Sequence, residues 1–177
     1  YNPADNRGFR IEPGAGADNI TLSNGTDEDD TVKFESTGDV DVITNFTRGA
    51  NQDIFNFKEA NGAGAFQGLT AVTTNSVANF GGTPGLTGTT TILHFNGANY
   101  ADGLTLQNAL RTEAGGALEG HGDLLRRIVM WETGGGGMAV GTLTNTAGPN
   151  DLVIDTFATF TPGGGVGALD ITQFSIA

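Results

Sequence analysis

The chain has 177 residues, no cysteine, and 20 acidic against 8 basic side chains, a formal net charge of −12. That balance excludes nucleic acid as a partner, because phosphate binding draws most of its affinity from clustered Lys and Arg, and it disfavours an anionic membrane surface for the same reason. Eleven Phe and a charged fraction of only 16% mark a folded chain of one domain, and 29 Gly among many Thr and Asn suit short strands joined by tight turns.

Residues 1–13 are polar and irregular and read as an N-terminal arm; residues 14–177 read as a single domain, with a divergent insertion over about 60–125. From Gly14 onward, short β runs alternate with turn residues. Ile20-Thr21-Leu22, Thr31-Val32-Lys33-Phe34, Val40-Asp41-Val42-Ile43 and Ile54-Phe55-Asn56-Phe57 are predicted strands. Gly14, Gly16, Asn24-Gly25, Gly38 and Gly49 punctuate them. Farther along, residues 69–72, 77–80 and 89–95 are strand-like, the last closed by Asn96-Gly97. Leu104, Leu106, Ala109 and Leu110 recur at helical spacing, which predicts a helix capped by Thr105 and ended by Gly115-Gly116, with a second short one near 122–125. Residues 127–132 and 138–144 flank the run Gly134 to Gly137 and predict a hairpin, and strands at 151–157 and 171–176 finish the set. The predicted class is all-β, a β-roll-like fold or a sandwich of short strands, with one or two short helices around 104–125. No stretch reaches the roughly 18 apolar residues of a membrane span.

One segment carries chemistry. Gly14-Ala15-Gly16-Ala17-Asp18-Asn19-Ile20 fits G-x-G-x-D-x-U, where U is a large aliphatic residue; this is the core of a nonapeptide that binds calcium in parallel β stacks. The glycines allow sharp turns and offer carbonyl oxygens, the Asp adds a hard anionic oxygen, and the aliphatic residue turns inward. Calcium takes six to eight oxygens, so the ligands must come from two successive turns. The second turn carries Asp27, Glu28, Asp29 and Asp30, and Asp30-Thr31-Val32 repeats the step of Asp18-Asn19-Ile20 after 12 residues instead of 9. Such crowding of acids costs energy that a dication removes, and a chain without disulfides gains a staple from a metal. The candidate Ca2+ ligands are therefore Gly14, Gly16, Asp18, Asp27, Asp29 and Asp30. Asp39, Asp41 and Asp53 alternate with aliphatic residues and fit a role in capping strands and turns instead. An ordinary set of exposed acidic turns is the plain alternative throughout.

Residues 30–34, then Asp39 to Phe46, then Gly49 and Asp53 to Phe57, resemble the C-terminal module of serralysin-type proteins, which follows an RTX calcium-binding β-roll. Residues 151–154 with 169–176 are similar to that module's closing strands. The resemblance implies calcium binding and type I secretion without an N-terminal signal peptide, and the start at Tyr1 is read as processing, truncation or such export. It does not extend to peptidase activity, since no H-E-x-x-H is present.

The remaining constellations are plainer. His94 lies in an apolar strand, His121 sits between glycines, no Ser occupies a nucleophile elbow, and no Lys follows the Gly134 to Gly137 run as a phosphate loop requires. No enzyme is expected. The sequence reads as a secreted bacterial calcium-binding structural protein, a self-assembling subunit of an extracellular surface layer, filament or matrix, located outside the cell or on its surface. Its expected partners are further copies of itself, as a homo-oligomer or polymer, and a cell-surface glycan. The alternatives are a C-terminal calcium-binding secretion module of a larger adhesin or enzyme, and a carbohydrate-binding β-sandwich.

Overall fold

The computed structural model describes residues 8–22, 30–34, 39–46, 53–57, 72–75, 92–113, 127–144, 152–162 and 174–176, and the structural statements below concern those residues. They are mostly β-strand, with one helix. The strands are β1 (Arg10–Ile11), β2 (Asn19–Thr21), β3 (Thr31–Phe34), β4 (Asp41–Phe46), β5 (Ile54–Phe57), β6 (Val72–Asn75), β7 (Ile92–Asn99), β8 (Arg127–Gly134), β9 (Gly137–Thr144), β10 (Val153–Pro162) and β11 (Phe174–Ile176); helix α1 is Gly103–Glu113.

The first five strands alternate between two sheets. β1, β3 and β5 lie side by side in a four-stranded sheet closed by β11, and β2 and β4 begin a seven-stranded sheet in the order β2-β4-β10-β9-β8-β7-β6. Each strand pairs in parallel with the one two places along: Arg10 faces Thr31, Thr31 faces Ile54, and Asn19 faces Val42. The chain thus winds between the sheets, each pair of strands forming one rung. Alternation dictates the winding. In β5, Phe55 and Phe57 are buried while Ile54 and Asn56 are partly exposed, so one face must meet another sheet.

β8, β9 and β10 form an antiparallel meander. Gly135 and Gly136 make its first turn, with φ of 61° and 86°; both central residues are left-handed, as a two-residue hairpin turn of matching twist requires. β10 then pairs in parallel with β4, joining the meander to the wound strands. At this seam Asn45 takes φ 65°. It lies where the register slips between Thr161 and Pro162, so it is the bulged residue, and its side-chain amide donates to the Leu22 carbonyl.

Two cores flank the seven-stranded sheet. Between the sheets, Val32, Phe34, Ile43, Phe46, Phe55, Phe57, Met130, Val140, Phe157 and Phe160 pack together. Phe46 stacks on Phe55 with ring centroids 4.3 Å apart, and Phe160 meets Phe55 edge-on at 4.9 Å. On the opposite face Phe95, Leu106, Leu110, Val129, Trp131, Leu143 and Ile154 bury against α1. β8 and β9 are therefore apolar on both sides, which explains why 127–132 and 138–144 read as continuous apolar runs.

Helix α1 begins earlier than its sequence suggests. Asp102 is its N-cap: its carboxylate accepts the Thr105 N–H and the Thr105 hydroxyl, each at 2.7 Å. Thr105, expected to be the cap, sits one turn in and answers Asp102. A carboxylate is at least as good a cap as a hydroxyl and also favours the positive end of the helix dipole. Gly103 is required here, because a Cβ would lie 2.8 Å from Thr156 Oγ1. Gln107 and Arg111 tie the helix to the sheet, Gln107 Oε1 accepting the Ile154 N–H at 3.0 Å and Arg111 donating to the Leu152 carbonyl.

Of the predicted strand at 69–72 only Val72 is among the described residues, where it opens β6 (Val72–Asn75), a strand that continues to Asn75 beyond the predicted bounds, and β7 continues past Asn96-Gly97 to Asn99. β1 forms the end of the polar arm expected over 1–13. The second helix near 122–125 and the strand at 77–80 lie outside the described residues. Among those described, no helix is long and apolar enough to cross a membrane.

Candidate functional site

Every wound strand after β1 has an aspartate at its start: Asp18 just before β2, Asp30 just before β3, Asp41 as the first residue of β4 and Asp53 just before β5. The reason is a backbone need. A chain entering a parallel strand carries an N–H that no neighbouring carbonyl reaches, and a buried N–H must be satisfied. Here the carboxylate of the next rung supplies the acceptor. The Phe9 N–H donates to Asp30 Oδ1 at 2.8 Å, the Asp30 N–H to Asp53 Oδ1 at 3.0 Å, and the Asp18 N–H to Asp41 Oδ1 at 2.9 Å. The Gly16 N–H reaches Asp39 Oδ2 at 3.2 Å in the same sense. The step is 23 residues in three of these bonds and 21 in the first.

Two aspartate ladders result, one at each side of the winding. The ladder of Asp30 and Asp53 is dry, both residues being only 1% exposed. The other runs from Asp18 to Asp41, with Asp39 bonded to the glycine turn. Gly14 and Gly16 take φ of 82° and 112°, and an added Cβ would meet nothing within 4 Å at either position. Glycine is needed there for backbone conformation alone. Burial, and then the charges of Asp18 and Asp39, hold the Asp41 carboxyl above its ordinary 3.8, against the lowering effect of the hydrogen bond from Asp18. Asp18 Oδ2 is buried and has no hydrogen-bond partner.

Of the residues expected to bind calcium, Gly14, Gly16 and Asp18 come together at this corner. Asp30 lies in the other ladder, where its carboxylate accepts the Phe9 N–H and its own N–H is bonded to Asp53. Asp27 and Asp29 lie outside the described residues. Among the described residues, no group of three or more His, Cys, Asp or Glu side chains is gathered so as to hold a metal ion. Asp39 and Asp41, read from the sequence as capping residues, accept backbone N–H groups as that reading expects. The signal for the ladders was the recurrence of Asp two residues before a large apolar residue, Asp18 with Ile20, Asp30 with Val32, Asp41 with Ile43 and Asp53 with Phe55.

Two basic side chains share the Glu12 carboxylate. Lys33, on β3, is 7% exposed and bonds Glu12 at 3.1 Å, and Arg10 reaches the same carboxylate at 3.2 Å. His94 lies on β7, while His121 is outside the described residues.

In comparisons with protein-family models, with curated proteins and with solved structures, nothing matches this chain.

Proposed function

We propose that this is a secreted, calcium-binding structural protein of β-roll type, a self-assembling subunit of an extracellular layer, filament or matrix. One observation carries the reading: the corner that brings Asp18, Asp39 and Asp41 beside Gly14 and Gly16, where burial and like charge already raise the Asp41 carboxyl. The donor set is all oxygen, the chemistry that suits a hard dication. Asp39 and Asp41 each have one oxygen engaged by a backbone N–H, which leaves the other oxygen for a cation, and Asp27 and Asp29 belong to the turn that follows β2 in sequence. Calcium would relieve the repulsion and fix the rungs; the protein supplies the geometry and no reaction follows.

The winding of short parallel strands between two sheets supports the β-roll description and the likeness to RTX modules, and with it export by a type I route. The same winding presents backbone edges from which an assembly can grow.

Calcium titration by calorimetry on the wild type and Asp39→Asn tests the reading. Asp39 is suited to this because it is exposed, whereas Asp30→Ala would also remove a buried acceptor and so disturb the fold. Saturable binding weakened by Asp39→Asn is the expected result. No heat with the wild type removes the calcium claim, and a protein that stays monomeric with and without calcium removes the assembly claim.

A further inference from the structure

The outer face of the four-stranded sheet carries a row of three polar side chains. In β3 and β5, Val32, Phe34, Phe55 and Phe57 turn into the core between the sheets, so Lys33 and Asn56 stand on the opposite face. These two are register partners: Lys33 lies directly across from Asn56 in the parallel pairing of β3 with β5. On the other flank Ile11 faces Val32, which puts Glu12, just past β1, alongside Lys33. The row therefore runs Glu12, Lys33, Asn56 across neighbouring segments of one sheet.

The chemistry of the three is complementary. Lys33 supplies an amine, Asn56 a carboxamide carbon, and Glu12 a carboxylate that already touches the amine, Nζ to Oε1 being 3.1 Å. The place is dry for an outward face: Lys33 is buried and Asn56 Oδ1 is closed to solvent. An ion pair for its own sake contributes little at a surface and does not call for a buried lysine. Neighbouring strands lie about 4.8 Å apart, a span the flexible lysine stem covers with length to spare. Rotation about that stem carries Nζ from Glu12 to the amide of Asn56.

We propose that Lys33 and Asn56 join in an intramolecular amide (isopeptide) bond, with Glu12 as the catalytic residue. Glu12 takes a proton from the Lys33 ammonium. The neutral amine then attacks Asn56 Cγ and forms the Nζ–Cγ bond. A second proton passes from Nζ to Nδ2, the Cγ–Nδ2 bond breaks, and ammonia leaves, carrying the proton from Glu12 away as ammonium. No oxidant or co-reactant is consumed, and the exclusion of water protects the reacting amide from hydrolysis. The product ties β3 to β5 in a chain that has no cysteine and closes the segment between them into a loop, as a disulfide would. It goes beyond the calcium and assembly reading and stands independently of both.

Intact-mass spectrometry of the folded full chain, followed by proteolysis and peptide mass analysis, tests it. The wild type should weigh one ammonia less than its sequence, and a branched peptide should join the segments that hold Lys33 and Asn56. Lys33→Arg and Asn56→Ala should show their full sequence mass. Lys33→Arg keeps a charge beside Glu12, and a thermal melt reports whether it folds; if it does not, the branched peptide of the wild type decides. Glu12→Gln should lose ammonia roughly a hundredfold more slowly than the wild type. A folded wild type at full sequence mass overturns the proposal. So does an ammonia loss that persists in Lys33→Arg, which belongs to an asparagine closing on its own backbone. A bond that forms as fast in Glu12→Gln overturns the catalytic role of Glu12.

Discussion

The wound strands β1 to β5 and the meander β8 to β10 bury similar side chains by different means. In the meander, hydrogen bonds run between neighbours in sequence, a two-glycine turn sets the register, and both faces are covered, by the opposite sheet and by α1. In the wound part β1 to β5 pair with one another only across a full rung, and carboxylates receive the N–H groups of Phe9, Asp18 and Asp30 at the strand starts. Antiparallel pairing closes its own hydrogen bonds locally, whereas parallel winding leaves corner groups that the sequence must satisfy with acids. Much of the acidity of the described wound strands has this use.

The comparison can be broken most severely at its shared centre. Phe55 touches Phe34, Phe46 and Phe160, so it belongs to both regions. Phe55→Ala should cost about 3–5 kcal/mol, and urea unfolding should remain a single transition; two separated transitions would show that winding and meander are independent units. Next comes the buried ladder. Asp53→Ala orphans the Asp30 N–H and should cost about 1–3 kcal/mol, while Asp53→Asn, which keeps an acceptor, should recover most of it. Hydrogen exchange at the Asp30 amide would rise in the first variant and not in the second. In the meander the matching weak point is the turn: Gly136→Val places a β-branched residue at φ 86° and should cost about 1–2 kcal/mol, with Gly136→Asn milder, read from the denaturation midpoint. The smallest effect lies in the pH dependence of Asp41. Its folded carboxyl titrates above the ordinary 3.8, so its protonation adds stability that is present below 3.8 and lost as pH rises through the folded value. Asp41→Asn should therefore be more stable than the wild type at neutral pH without calcium, with the gap in melting temperature closing as pH falls towards 4 and reopening in neither direction below it.

The strands were legible where alternation was strict. Val32 and Phe34, or Phe55 and Phe57, are buried faces that show as every second residue. β8 and β9 were legible for the opposite reason, since cover on both faces makes them continuous apolar runs. Pairing was not legible. Thr31 faces Ile54 across a whole rung, and nothing local in the sequence distinguishes that partner from the adjacent strand. The cap of α1 was missed because Asp102 precedes a glycine that propensity counts against a helix, while the close approach of Gly103 to Thr156 overrides propensity. For the acidic corner, spacing located Gly14, Gly16 and Asp18 together, but it paired them with Asp30; the 23-residue step brings Asp39 and Asp41 there instead.

The parallel seam between β4 and β10 also bears on the order of events during synthesis. Asp41 lies against Ala158, so the early strands emerge from the ribosome long before the strand that flanks them exists. Until then Ile43, Phe46 and Phe55 lack Phe157 and Phe160 as cover. The hairpin of β8 and β9 closes over a two-residue turn and can form quickly, β10 docks on it, and the winding is then laid against a finished template. A nascent chain of this design passes through a prolonged sticky interval, and a holdase that keeps it from premature contact would matter more to its yield than to its final stability.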